Sequence, residues 1–308
     1  MAVEPLLATR AQRAFILTVI LHDLYALEAI VVLIMVGITF RKVDVEVDFH
    51  IPRIFELFIA FDALRLRNVI QLLGLLLFHL ALMVFAALQV HQTRTALVQL
   101  PNCDGTRSFL VSIILFLQWF VIGASWLVML FWIKQLYGEF GWAIFHVVGA
   151  DRKMKTMYQW YQIMICLLKF DFFCFTGVTM QLLILVLQKN SAEFGVTIAA
   201  IPIVLVLLIL CGVAVQREIK WIMSISFVMM LAALTYFLYK LVRFYEPSSR
   251  SQYETTRATL TTFTIVAFLL LFATLVVGLR CFVDFDKGLL ASKVNSERVS
   301  LPLFRGMI

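Results

Sequence analysis

Glu28, His79, Lys169 and Asp171 are the side chains whose chemistry and position ask for an explanation, because each falls inside a long apolar run. A carboxyl, an imidazole or an amine held away from water can relay a proton, bind a polar substrate, or fix one helix against another. Placing such a group at the centre of a bilayer costs about 2.5–3.5 kcal/mol on insertion scales, so it turns to the bundle interior or to a wet cavity. Only 12 residues, Ala29 to Phe40, separate Glu28 from Arg41, too few to cross a membrane alone. His79 is held in the same way, 12 residues from Arg67 and 12 from His91. Counted from Arg41 and Arg67, the two lie 13 and 12 residues deep, which predicts that they share a plane and face each other or a common cavity.

Lys169 and Asp171 stand two apart in LLKFDFFCF (167–175), about 200° around a helix, so they cannot pair with each other. If the run begins at the aromatic belt of Tyr158, Trp160 and Tyr161, both are buried. Asp171 can then join Glu28 and His79, with Lys169 as a partner for Glu28. If it begins at Phe170, both lie at the interface and Lys169 snorkels outward. His22 and Asp23 can escape burial, since a first span starting at Ile20 still leaves 21 residues with both groups near the lumenal surface. A carboxylate–histidine metal site needs more ligands at one depth than Glu28 and His79 supply, so no metal and no other cofactor is expected. The four residues are therefore either a proton-coupled or polar-substrate site, or satisfied polar contacts that fix the packing.

The elements that must position them are membrane spans. The 308 residues are 62% hydrophobic and 15% charged, with a mean hydropathy of +0.96. Soluble domains are about half apolar and one-quarter charged, so this balance belongs to an integral membrane protein. Seven runs are long enough to cross, at about 14–40, 68–90, 108–133, 160–188, 194–215, 220–242 and 258–281. They are continuous rather than alternating, which predicts an all-α, polytopic chain in a single seven-helix domain. The fifth and sixth runs are joined by the tight turn QREIK (216–220). With Lys169 set aside, one side of the membrane holds 9 Lys and Arg and the other 16. The richer side is cytoplasmic, giving a lumenal N-terminus and a cytoplasmic C-terminus. The net charge of +7 is thereby explained by short loops, without a nucleic-acid partner.

Amphipathic interfacial helices are expected in the first and third loops. RIFELFIAFDALRLR (53–67) places Ile54, Leu57, Phe58, Phe61 and Leu64 on one face and Arg53, Glu56 and Arg67 elsewhere. Residues 134–160 mix aromatics with a basic cluster, Arg152, Lys153 and Lys155, suited to the headgroup layer. Residues from Lys287 to the end read as a flexible cytoplasmic tail. It is preceded by Cys281, a juxtamembrane candidate for palmitoylation. The tail opens with a DxxLL pattern at Asp286–Leu290, close to the bilayer. The five cysteines form no CxxC and no metal-like cluster. HExxH, GxSxG and P-loop patterns are absent, so no catalytic residues are assigned and no enzyme is expected.

Four segments, DALRLRNVIQLLGL (62–75), YGEFGWAIFHVVGAD (137–151), YQIMICLLKFDFFCFTGVTMQLL (161–183) and TRATLTTFTIVAFLLLFATLVVGLRCFVDFDKGL (256–289), together resemble a family of fungal seven-span, uncharacterised Golgi apparatus membrane proteins. The resemblance implies a Golgi or endomembrane location and supplies no activity. Likeness to rhodopsin-like receptors is topological only: WIKQLY (132–137) holds no DRY-type triplet and the seventh run lacks NPxxY. The expectation is a non-enzymatic protein of membrane organisation or trafficking acting through its cytoplasmic face. Its partners are membrane lipids, further copies of itself or a cytosolic trafficking protein. A transporter or channel using the four charged residues is the alternative, and a receptor of another kind the third.

Overall fold

The computed structural model describes residues 7, 9–23, 50–98, 105–148, 151–181, 192–246 and 257–290. Among them every regular element is a helix: α1 (10–23), α2 (His50–Arg65), α3 (Val69–Val98), α4 (Gly105–Val148), α5 (Arg152–Gln181), α6 (Ala192–Arg217), α7 (Lys220–Arg243) and α8 (Arg257–Val283). The all-α expectation holds. Four of the described stretches are long and apolar enough to cross a bilayer: Trp119–Gly141, Arg152–Thr179, Lys220–Arg243 and Leu260–Val283. Val69–Ala81 and Ile201–Arg217 are shorter apolar helices. Most of the first expected span, with Glu28, lies outside the described residues.

Polarity runs inside out. Leu77, Phe116, Phe120, Leu127, Val228 and Val242 are all exposed, while Glu56, Gln71, His79, Asp171, Lys240 and Thr274 are buried. Water would not tolerate so much exposed apolar surface, whereas hydrocarbon tolerates it and forces polar groups inward.

The chain divides into two compact units, Val3–Ala143, and Ile144–Ile308 with Met1–Ala2. In the first, α2 and α3 form an antiparallel hairpin. α2 ends with Arg67 at φ 49°, in the left-handed region, so that the Asn68 N–H reaches Ala63 O at 3.0 Å and the Arg67 N–H reaches Leu64 O at 3.3 Å. Asn68 then caps α3, its Oδ1 accepting from the N–H groups of Ile70 (3.0 Å) and Gln71 (3.2 Å). The Gln71 amide braces the pair, donating to Ile59 O at 3.1 Å and Asp62 Oδ2 at 2.8 Å. Trp126 of α4 donates to Leu76 O at 3.1 Å. Thr9 caps α1 through the Gln12 N–H and donates to Glu139 on α4.

Of the two expected loop helices, the first is present and the third-loop one is not a separate element. α2 exists, but its exposed side carries Phe58 and Phe61 and its buried side Glu56, Ile59 and Ala63. Apolar residues therefore stand on both sides of α2, Ile59, Ala60, Ala63 and Leu64 inside and Phe58 and Phe61 outside, and the helix packs along α3. No separate third-loop helix forms. α4 continues unbroken through Val148 because 105–148 contains no proline, and Gly138 and Gly141 alone do not stop a helix.

The second unit is a closed ring of four helices: α5 packs on α6 and α8, and α7 packs on the same two. The α6–α7 turn is as tight as expected, with Glu218 at φ 56° and the Ile219 N–H on Ala214 O at 2.9 Å. The Glu218 carboxylate accepts from the N–H groups of Asp286 (2.9 Å) and Leu290 (3.0 Å), and Lys220 pairs with Asp286. The tail expected from Lys287 is therefore held at its first four residues, with Leu289 buried. Residues 291–308 lie outside the described part.

At Gly278, side chains of α5 and α7 close directly on α8. A Cβ there would stand 2.9 Å from Phe227 Cε1, 3.0 Å from Met223 Cε and 3.3 Å from Met164 Cε. Gly278→Leu should destabilise the detergent-solubilised protein by about 1–3 kcal/mol through overpacking, read as a lower Tm. Gly138→Leu, where a Cβ meets nothing within 4 Å, should leave Tm unchanged.

Candidate functional site

Two buried polar centres emerge, one in each unit. The first gathers on His79. Its Nδ1 lies 2.6 Å from Glu56 Oε1, and both side chains are fully buried. Its Nε2 lies 2.9 Å from Ser125 Oγ and 3.1 Å from Ile122 O. The Ser125 hydroxyl donates to the same carbonyl at 2.8 Å, so the hydrogen facing Ser125 belongs to Nε2. The His22 ring meets the His79 ring edge-on, centroids 4.5 Å apart. Asp23 Oδ1 is 3.5 Å from His22 Nδ1, too long for a good hydrogen bond. Both nitrogens of His22, and Glu56 Oε2, are buried without a hydrogen-bond partner among the described residues.

The hairpin explains the meeting of Glu56 and His79. Glu56 is 12 residues before Asn68 and His79 is 11 after it, so each lies roughly 17 Å from the turn. Phe55 and Phe78 pair one step away, centroids 5.4 Å apart. Whatever depth His79 has, Glu56 shares it. His79 is thus a buried polar centre as its trapped position predicts, but its described partner is Glu56, which sequence reasoning set on the outer, polar side of a surface helix. His22 is likewise drawn in, where an interfacial position was expected. His22, Glu56 and His79 each bring one nitrogen or oxygen atom within 4.8 Å of the others. Glu28, the partner expected for His79, lies outside the described residues.

The second centre is Asp171. Its Oδ2 accepts from the Thr274 hydroxyl of α8 at 2.5 Å, and Oδ1 has no hydrogen-bond partner among the described residues. Thr274 stands 14 residues into Leu260–Val283, which sets Asp171 level with the middle of that span. Lys169 points elsewhere and is half-buried. Beside Asp171 opens a cleft of about 310 Å³ among α5, α6, α7 and α8, walled by Phe175, Leu207, Met230, Ala233, Phe237 and Leu271, with Ser226 and Tyr236 as minor polar contributors. Lys240, which counts as a loop cation in the sequence, is buried, with Nζ 5.7 Å from the centre of the Tyr236 ring.

His79 lies in Val3–Ala143, and Lys169 and Asp171 belong to the four-helix ring. Arg152, Lys153 and Lys155 are exposed on the first turn of α5, which Asp151 opens by accepting from the Lys153 N–H at 2.8 Å. Cys281 is 5% exposed and turned into the bundle, so the thiol is not presented for palmitoylation. Cys166, Cys174, Cys211 and Cys281 are all free thiols.

A two-variant cycle measures the first centre. His79→Leu strands a buried carboxyl and should cost about 1–3 kcal/mol or more of stability. Adding Glu56→Leu should recover part of that loss, because replacing both partners with apolar groups removes the stranded polar atom. Thermal unfolding of the two single variants and the double variant reads the coupling.

No protein-family model matches the chain, and no solved structure matches it. One curated relative does: a UPF0658 Golgi apparatus membrane protein of the fission yeast Schizosaccharomyces pombe, 27% identical over 261 residues, which is 76% of this chain and 73% of the relative. The chain is therefore similar to a fungal Golgi apparatus membrane protein, the kind of family that the four segments together resemble.

Proposed function

We propose that this chain is a non-enzymatic, seven-span protein of the Golgi or endomembrane system that organises membrane by holding a lipid among α5, α6, α7 and α8. The N-terminus is lumenal and the C-terminus cytoplasmic. The observation that carries this reading is the cleft of about 310 Å³, apolar on nearly every side, with the unpartnered Asp171 Oδ1 beside it. Small-molecule sites are concave and mostly apolar, about 300–1,000 Å³, with a few polar groups that fix orientation. One buried acceptor in an oily wall suits an amphipathic molecule that donates a single hydroxyl or amine hydrogen. A water-soluble substrate would strand most of its polar groups against Leu207, Met230 and Phe237.

Other features agree. The relative's name supports the Golgi location. The inside-out polarity supports several crossings. Arg152, Lys153 and Lys155 oppose the positive end of the α5 dipole, a cost that anionic headgroups offset, which supports a cytoplasmic face lying against lipid. A cytosolic trafficking partner would bind on that same face.

Native mass spectrometry of the full chain, extracted in mild detergent, tests the reading. The wild type should retain a co-purified lipid. Ala233→Phe, which fills the cleft, should lose it, and Asp171→Asn should change the headgroup class retained. An identical lipid complement in wild type and Ala233→Phe would overturn the proposal.

A further inference from the structure

We propose that His22, Glu56 and His79 are the protein ligands of a zinc ion. One atom from each side chain, two imidazole nitrogens and a carboxylate oxygen, lies within 4.8 Å of the others, and all three residues are buried. Two histidines with one glutamate are a recognised donor set for zinc with three protein ligands and one open position. Zinc binds such atoms at about 2.0–2.2 Å, which sets tetrahedral donors about 3.4 Å apart. The donors that are now as much as 4.8 Å apart must therefore close by about 1.4 Å, while His79 Nδ1 and Glu56 Oε1, at 2.6 Å, must open by about 0.8 Å to admit the ion.

Three further observations point to an ion rather than to a closed hydrogen-bond network. First, both nitrogens of His22 and the second oxygen of Glu56 are buried with no hydrogen-bond partner among the described residues. Buried nitrogen and oxygen atoms are otherwise paired, and a group left over calls for something bound there. Second, His79 is already arranged as a ligand. A metal-bound histidine donates its other ring N–H to a carbonyl or hydroxyl, and His79 Nε2 has Ile122 O at 3.1 Å and Ser125 Oγ at 2.9 Å. That contact fixes the tautomer and leaves Nδ1 as the coordinating atom. Third, the one hydrogen between Nδ1 and Glu56 Oε1, at 2.6 Å, joins two atoms that both coordinate metals once it leaves. Zinc binding here replaces that proton and releases it.

The site would tie α1, α2 and α3 together at one point, with α4 holding His79 from behind. Asp23, 3.5 Å from His22 Nδ1, supplies a further carboxylate beside the cluster. The inference concerns Val3–Ala143 alone and does not depend on a lipid in the other unit.

The test uses the full chain in detergent, purified without a metal-affinity tag, with zinc counted by elemental mass spectrometry. About one zinc per chain is expected for the wild type. Glu56→Gln keeps the shape and a hydrogen-bonding oxygen at Oε1 yet loses the anionic ligand, so it should fold and carry little zinc. His22→Ala should behave likewise, and Ser125→Ala should fold and bind zinc about 10–100-fold more weakly. Chelator-treated wild type should gain Tm when Zn²⁺ is restored, and Glu56→Gln should not. Wild type without zinc and without a zinc-dependent Tm shift would overturn the proposal. So would equal zinc in wild type, Glu56→Gln and His22→Ala, or iron in zinc's place.

Discussion

A hydrogen-bonding side chain surrounded by hydrocarbon has to find its partner within the protein, and both units are organised around that requirement. Glu56 meets His79, Gln71 meets Asp62 and the Ile59 carbonyl, and Asp171 meets Thr274. Each contact joins two different helices. Packing between apolar helices in lipid gains little from excluding water, so these polar contacts select register where side chains such as Leu and Val would allow sliding. Where helices pack tightest, a missing side chain permits it: Gly278 lets Met164, Met223 and Phe227 converge on α8.

How much of this was legible depends on whether the signal was local. Hydropathy alone gives helices, because runs without alternation leave no other way to satisfy the backbone. QREIK reads as a turn, and Glu218 in the left-handed region makes it one. The burial of His79 follows from its distance to charged residues on both sides. Its pairing with Glu56 does not, because the usual reading of an amphipathic helix takes the polar side as the outer one. In lipid that rule inverts, and Phe58 and Phe61 become the outer face. The clue lay at Asn68: a helix stop followed at once by a helix cap demands an antiparallel hairpin, and folding the sequence back there brings 56 against 79. No comparable clue exists for Asp171. Its partner Thr274 is 103 residues away, so the sequence left two depths open. Lys240 was obscured by lying near the end of an apolar run, where a lysine ordinarily reaches for the headgroups.

The two centres differ in what remains unsatisfied. Around His79 the leftover atoms belong to several residues and converge, as donors around an ion do. At Asp171 a single oxygen is left over beside an open apolar cleft, as the polar end of an oily site is. The first arrangement favours a small cation and the second an amphipathic molecule.

The Glu218 carboxylate, bridging the α6–α7 turn to the backbone of Asp286 and Leu290, makes the exit of the C-terminal tail a latch. Here Leu289 is packed away, and two of the peptide N–H groups needed in any extended complex are already spent on Glu218. Extension of the chain through Asp286–Leu290 therefore requires release of that latch. The start of the tail is thus fixed only when the α6–α7 turn and the end of α8 are packed together.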